Sequence, residues 1–154
     1  MQLARLAKTY KVNADKNALE ETTIGQLQYP LSDRRRQPMP AGGLFSTASD
    51  VARFCQMVLN GGTFGGRRYV SAEAVRAMTT KQTAAALADE YGLGWSTAGG
   101  TFGHGGAVKT SMTIDPARGR IIVYMVQHAE FLDDPEGKNE NFQAFKQAVD
   151  EQFA

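Results

Sequence analysis

Six consecutive apolar residues, Ile121-Ile122-Val123-Tyr124-Met125-Val126, limit the fold of this chain more than any other feature. The run reads as a strand, and a strand turns successive side chains to opposite faces. With no polar member, both faces need cover, which places such a strand in the interior of a packed sheet. Yet it is the last strand pattern in the sequence. After it, at about 139–152, Phe142, Phe145 and Val149 recur at spacings of three and four, with Phe153 just beyond. That stripe belongs to a helix able to cover one face of the sheet. No later segment offers a neighbour for the strand's second edge, and an open apolar edge invites pairing with another chain. The expectation is that the N-terminal arm or a partner fills the gap.

The preceding segments fit an antiparallel sheet. Tyr91 to Ser96 is a short strand candidate, and Thr101 to Gly106 a glycine-rich one. Between Ala107 and Asp115, the residues Val108, Thr110, Met112 and Ile114 alternate with Lys109, Ser111 and Thr113, the period of a strand with one face covered. Asp115-Pro116-Ala117-Arg118-Gly119 supplies a hairpin turn. Ahead of the sheet, Thr47 caps a helix, with Asp50 three residues on as in a capping box. Val51, Phe54, Cys55, Val58 and Leu59 form its apolar stripe, and Asn60-Gly61-Gly62 ends it. A shorter helix starts at Ser71 and runs through Val75 and Met78. Residues 1–40, broken by Asn13, Gly25, Pro30, Pro38 and Pro40, read as an extended arm or loop. The fold class is therefore α+β: one domain over residues 1–154, with about three main antiparallel strands and flanking helices in 41–154.

Charge and composition exclude several function classes. Lysine plus arginine number 17 against 16 acidic residues, a net charge of +1, so nothing attracts nucleic acid or an anionic membrane. No apolar run approaches the roughly 20 residues of a membrane span, and Met1 to Tyr10 is not a signal peptide. Cys55 is the sole cysteine and lies on an apolar helix face, where a thiol acts as a small buried hydrophobe. His104 and His128, the only histidines, lack carboxylates at ligand-like spacing. No glycine loop followed by lysine and serine or threonine is present to cradle phosphates. No metal and no cofactor is expected.

Two ordered groups of residues carry a resemblance. One is Pro40-Ala41-Gly42-Gly43-Leu44-Phe45-Ser46-Thr47, leading to Asp50 and Arg53-Phe54. The other is Tyr91-Gly92-Leu93-Gly94-Trp95, then Phe102-Gly103-His104-Gly105-Gly106, then Asp115-Pro116. Together they resemble the C-terminal region of the serine β-lactamase-like proteins, which include class C β-lactamases, D-alanyl-D-alanine carboxypeptidases and related esterases. The resemblance implies an incomplete β-lactamase/transpeptidase-like fold. It also implies a site of three motifs: Ser-x-x-Lys for nucleophile and base, Tyr-x-Asn for the proton shuttle, and Lys-Thr-Gly or His-x-Gly on an inner strand.

Only the third is present, as His104-Gly105-Gly106. Ser32, Ser46, Ser49, Ser71, Ser96 and Ser111 all lack a lysine three positions later, and no tyrosine precedes asparagine by two. Tyr69-Val70-Ser71 and Lys109-Thr110-Ser111 are loose matches at the wrong places. By resemblance, His104 faces the serine and tyrosine, bonding the tyrosine or a substrate carboxylate. An imidazole can take either charge state near neutrality. Gly105 and Gly106 leave a strand edge bare for an extended substrate, Ala107 offers its N–H as one oxyanion donor, and Gly42 and Gly43 wall the cleft. Trp95 reads as core and His128 as structural. The expected protein is a C-terminal portion of such a hydrolase, inactive until an N-terminal half supplies the nucleophile. The alternative is a non-catalytic peptide-binding or self-associating module that uses the free strand edge. The family is often exported, but the chain itself fixes no location.

Overall fold

The structure, a computed structural model, describes residues 3–128 and 140–153. In chain order its elements are β1 (Thr9–Val12), β2 (Leu19–Thr22), α1 (Ala48–Leu59), β3 (Thr63–Phe64), β4 (Arg67–Arg68), α2 (Ala72–Thr79), β5 (Phe102–Gly105), β6 (Ser111–Asp115), β7 (Arg120–Tyr124) and α3 (Glu140–Gln152). The architecture is α+β with antiparallel sheets. No helix among the described residues is long and apolar enough to cross a membrane. The chain divides into two compact units: Thr47–Gly105 with Ser111–Met125, and Met1–Ser46 with Gly106–Thr110 and Val126–Ala154.

In the sheet-bearing unit, local chemistry sets both ends of α1. Thr47 Oγ1 accepts the Asp50 N–H at 3.2 Å and donates to Asp50 Oδ2 at 2.9 Å. Two groups at the helix start are thus satisfied together, and the carboxylate suits the positive end of the helix dipole. At the other end Gly61 and Gly62 take positive φ angles of 62° and 92°. Their N–H groups bond Val58 and Met57 carbonyls at 2.9 Å each, the glycine-based helix ending that the sequence predicts. Ser71 caps α2 through its bond from the Ala74 N–H, 3.1 Å long.

Strands β5, β6 and β7 form one antiparallel sheet in that order. Register places Phe102 opposite Ile114 and Ile114 opposite Ile121, with His104, Met112 and Val123 in the next row of the same face. This face meets α1 and α2. Cys55, Val58, Val75, Trp95, Phe102 and Ile114 form the core, with Val51, Met78, Met112 and Ile121 packed against it. Ile114 is fully buried and Trp95 is 3% exposed. Full burial of a large aliphatic side chain contributes about 1.5–3 kcal/mol, so this cluster is the main stabilising feature of the unit. The β6–β7 turn is held by Asp115, whose carboxylate accepts the Arg118 N–H at 3.1 Å and pairs with its guanidinium at 2.8 Å. Arg118 holds that carboxyl below the usual range.

Three expectations for the main sheet need correction. Tyr91–Ser96 is a tight turn joined by a single bridge, not a strand, because Gly94 adopts φ 84° and the Gly92 N–H reaches back to the Trp95 carbonyl at 2.8 Å. Strand β6 begins at Ser111, not Ala107: Lys109 has a φ of 67°, and residues 106–110 make a turn instead of extending the alternation. Strand β7 lies at the sheet's edge, not in its interior. Among the described residues only β6 pairs with it, and of its apolar run only Ile122 is buried while Met125 is 40% exposed.

The second unit contains the hairpin β1–β2, with Thr9 opposite Thr22 and Val12 opposite Leu19. The arm thus carries strands where the sequence reads only an extended segment. Asn13 closes the hairpin turn, its side-chain oxygen accepting the N–H groups of Asn17 and Ala18 at 3.0 and 3.2 Å. Tyr10 then bridges in parallel to His128, and its N–H bonds the Gln127 carbonyl at 3.0 Å. In α3, Phe142, Phe145 and Val149 are half-buried while Gln143, Ala144, Gln147 and Ala148 are exposed, the amphipathic pattern expected of a helix with one covered face.

Candidate functional site

The residues singled out by the sequence fall in both units. His104 and Gly105 end β5 in the sheet-bearing unit, whereas Gly42, Gly43, Gly106 and Ala107 belong to the other.

His104 shares its sheet face with Phe102 and Ile114, yet Phe102 is buried and His104 is exposed. It is the last side chain of a row that begins in the core. Aromatic rings flank this face: Phe54 stacks on Trp95 at 5.9 Å between centroids, and Trp95 meets Phe102 edge-on at 5.5 Å. At its solvent end Tyr91 meets His104 edge-on, 5.9 Å away with the rings at 85°. Backbone pairing holds these partners in place. Ser96 and Gly103 exchange N–H···O bonds of 2.9 and 3.0 Å, which seats the Tyr91–Ser96 turn along β5. Gly103 also allows a close approach to β6, since a Cβ there would strike the Met112 carbonyl. Gly92 has the same reason beside the Met78 carbonyl.

The imidazole is oriented by one further bond. His104 Nδ1 lies 2.6 Å from the Gly105 carbonyl oxygen. A carbonyl can only accept, so this contact is a hydrogen bond only in a form of the ring that carries a proton on Nδ1. In the neutral ring Nε2 then keeps its lone pair.

Residues Gly106–Thr110 form a tight turn. The Gly106 N–H bonds the Thr110 carbonyl at 2.8 Å and the Lys109 N–H bonds the Gly106 carbonyl at 3.0 Å, and Ala107 is an exposed residue of this turn. Gly106 also has a packing reason to be glycine, because a Cβ would run into the Thr110 hydroxyl. In the same unit, Gly43 sits against the Met39 carbonyl, while Gly42 has open space apart from Gln26 at 3.9 Å.

Other titratable groups take structural places. Cys55 is fully buried and its thiol is pushed up to about 11 by desolvation, which leaves it protonated and unreactive at neutral pH. His128 lies beside Tyr10, ring centroids 6.1 Å apart. Among the described residues no cluster of three or more His, Cys, Asp or Glu side chains is placed to hold a metal ion. A shallow hollow along α3, lined by Gln143, Lys146, Gln147, Asp150 and Glu151, is one side of a single helix with none of the motif residues in it.

The sequence passed over two features of this region. Lys109 looks like a strand residue until its left-handed backbone is seen. Tyr91 reads only as one letter of a glycine-rich motif, and its approach to His104 depends on a turn that no local periodicity announces. The paired glycines Gly92 and Gly94 were the available signal.

Residues 2–144 match the family model described as Beta-lactamase. The chain is 33% identical over 113 residues to a protein of Escherichia coli O157:H7 named "Putative D-alanyl-D-alanine carboxypeptidase", a match covering 63% of this chain and 25% of that protein. It is also 33% identical over 121 residues to Protein Rv1367c of Mycobacterium tuberculosis, covering 59% of this chain and 29% of that protein. The chain thus spans less than a third of either relative's length.

Proposed function

The chain belongs to the β-lactamase family, and from that premise we propose that it is the C-terminal part of a serine hydrolase domain acting on β-lactams, D-alanyl peptides or simple esters. The observation that carries this reading is the exposed His104 at the end of β5, fixed by Tyr91 and the Gly105 carbonyl and followed by two glycines. A histidine so placed is accessible to a reacting group and cannot swing freely.

On this reading the chemistry is divided. A Ser-x-x-Lys segment outside these residues supplies the serine oxygen that attacks the substrate carbonyl carbon, while its proton passes to the base. Negative charge collects on the carbonyl oxygen, and by the resemblance the Ala107 N–H is one donor to it. The carbonyl then re-forms as the amine or alcohol departs with a proton, and water later frees the acyl group. Gly105, without a side chain at the end of β5, leaves room for an extended substrate beside that strand.

The chain alone is inactive, because its 154 residues hold neither Ser-x-x-Lys nor Tyr-x-Asn. The test is to join or mix it with an N-terminal segment bearing both motifs. A chromogenic β-lactam, a D-alanyl-D-alanine peptide and a p-nitrophenyl ester are then assayed. Hydrolysis of at least one is expected, with His104→Ala reducing the rate by roughly 10²–10⁴ as for other positioned acid–base groups. A well-folded mixture that cleaves none of them overturns the proposal.

The edge position of β7 favours a second reading, in which that strand pairs with another copy or with a peptide and no turnover occurs. Size-exclusion chromatography separates the two. A stable dimer that persists after the N-terminal segment is added supports self-association, and its dissociation in favour of a one-to-one complex supports the hydrolase.

A further inference from the structure

The resemblance leaves two roles open for the site histidine: a partner of the tyrosine hydroxyl, or a donor to a substrate carboxylate. The contact of Nδ1 with the Gly105 carbonyl favours the first. We propose that Tyr91 is a positioning residue that locks His104 in its Nδ1–H form, so that Nε2 acts as a hydrogen-bond acceptor for a hydroxyl and not as a donor to an anion. This rests on the reading of His104 as the site histidine.

A neutral histidine free in water prefers the other tautomer, with the proton on Nε2. The Gly105 carbonyl reverses that preference only while the ring holds the single orientation that keeps Nδ1 at 2.6 Å. An exposed imidazole would ordinarily exchange such a bond for water. Here the Tyr91 ring stands perpendicular to it at 5.9 Å and closes off rotation on that side. Tyr91 is itself fixed: its carbonyl accepts the Gln82 N–H at 2.7 Å, and its turn is seated on β5 through Ser96 and Gly103. On its own face His104 stands opposite Met112, whose sulfur lies 3.8 Å from the buried Cys55 thiol, so the floor beneath the ring belongs to the core.

With the proton held on Nδ1, the lone pair is left on Nε2 of an exposed ring. It can accept a proton bond from a phenol, and so hold the hydroxyl of a shuttle tyrosine. A substrate carboxylate offers only acceptors, and a neutral ring in this state has no N–H left for it.

The test uses the chain itself, without substrate. Nitrogen-15 chemical shifts of the imidazoles are recorded well above the ordinary imidazole range of pH, with His104 assigned by loss of its signals in His104→Asn. The wild-type chain is expected to show Nδ1–H and an unprotonated Nε2 at His104. Tyr91→Phe retains this pattern, because the ring and not the hydroxyl does the positioning. Tyr91→Leu shifts the ratio toward Nε2–H by roughly three- to tenfold, the worth of one aromatic pair, with Trp95 fluorescence unchanged. An Nε2–H tautomer in the wild-type chain overturns the proposal whatever the variants do, and so does a Tyr91→Leu chain whose ratio matches wild type. The hydrolase reading fails separately: if the tautomer is as stated but His104→Asn leaves the reconstituted rate unchanged, the geometry stands and the catalytic assignment falls.

Discussion

The sheet-bearing unit and the unit that contains the arm hold themselves together by different means. The first gathers Cys55, Val58, Val75, Trp95, Phe102 and Ile114 into one contiguous cluster under three strands. In the second, Thr9 and Leu27 are the buried side chains among the described residues, and the β1–β2 hairpin relies on its ladder, the Asn13 turn and exposed Lys–Glu pairs. Exposed pairs add little and a lone two-stranded hairpin is marginal in water. The difference shows where precision is available: His104 stands at the end of the apolar row, while the glycines expected to wall a cleft lie on turns.

The largest test of that contrast is Trp95→Ala. It removes a ring that contacts both Phe54 and Phe102, and is expected to cost about 3–5 kcal/mol in urea unfolding. Leu27→Ala, in the other unit, is expected to cost clearly less. Equal losses would erase the distinction between a consolidated core and a loosely buried arm.

A smaller effect comes from Cys55. Its folded thiol titrates at about 11 against an ordinary 9.0. Above the ordinary value the unfolded chain loses the proton while the folded chain keeps it, so alkali favours unfolding. Stability is intact at neutral pH and falls by about 1.4 kcal/mol per pH unit across the window between those two values. The excess slope over that window disappears in Cys55→Ala. A slope that persists unchanged in that variant places the alkaline weakness elsewhere.

Thr47→Ala is expected to cost about 1 kcal/mol by removing the cap of α1. Far-UV circular dichroism during thermal melting reads this out, and no change would mean that packing alone sets the helix start. Smallest of all is Lys109→Gly in the 106–110 turn. Relief of the left-handed backbone, worth about 1 kcal/mol or more, is partly offset by the greater freedom of glycine in the unfolded chain. A net gain below about 1 kcal/mol is expected; a loss would show that the lysine side chain steadies the turn.

The same contrast explains what could be read in the sequence. Helix α1 was legible because Thr47, Asp50 and Asn60-Gly61-Gly62 act on their immediate neighbours. So was the β6–β7 hairpin, since Asp115 bonds a residue only three positions on. Strands β1 and β2 were not legible, because Lys11, Glu20 and Glu21 give no apolar alternation. The parallel bridge of Tyr10 joins His128, far along the chain. The apolar run of β7 announced a strand but not its neighbours, which depend on tertiary pairing. At the candidate site, the motif residues His104-Gly105-Gly106 could be found by resemblance, whereas the approach of Tyr91 to His104 depends on a turn seated by tertiary pairing with β5.

The division of the chemistry is tested most directly by covalent trapping. The purified chain is incubated with a fluorescent penicillin and, separately, with an alkyl fluorophosphonate, then weighed intact by mass spectrometry. A Ser-x-x-Lys carboxypeptidase is run beside it. The carboxypeptidase should gain one adduct with a reagent that leaves this chain at its unmodified mass. A stoichiometric adduct on any of its own serines would mean that it carries a nucleophile after all.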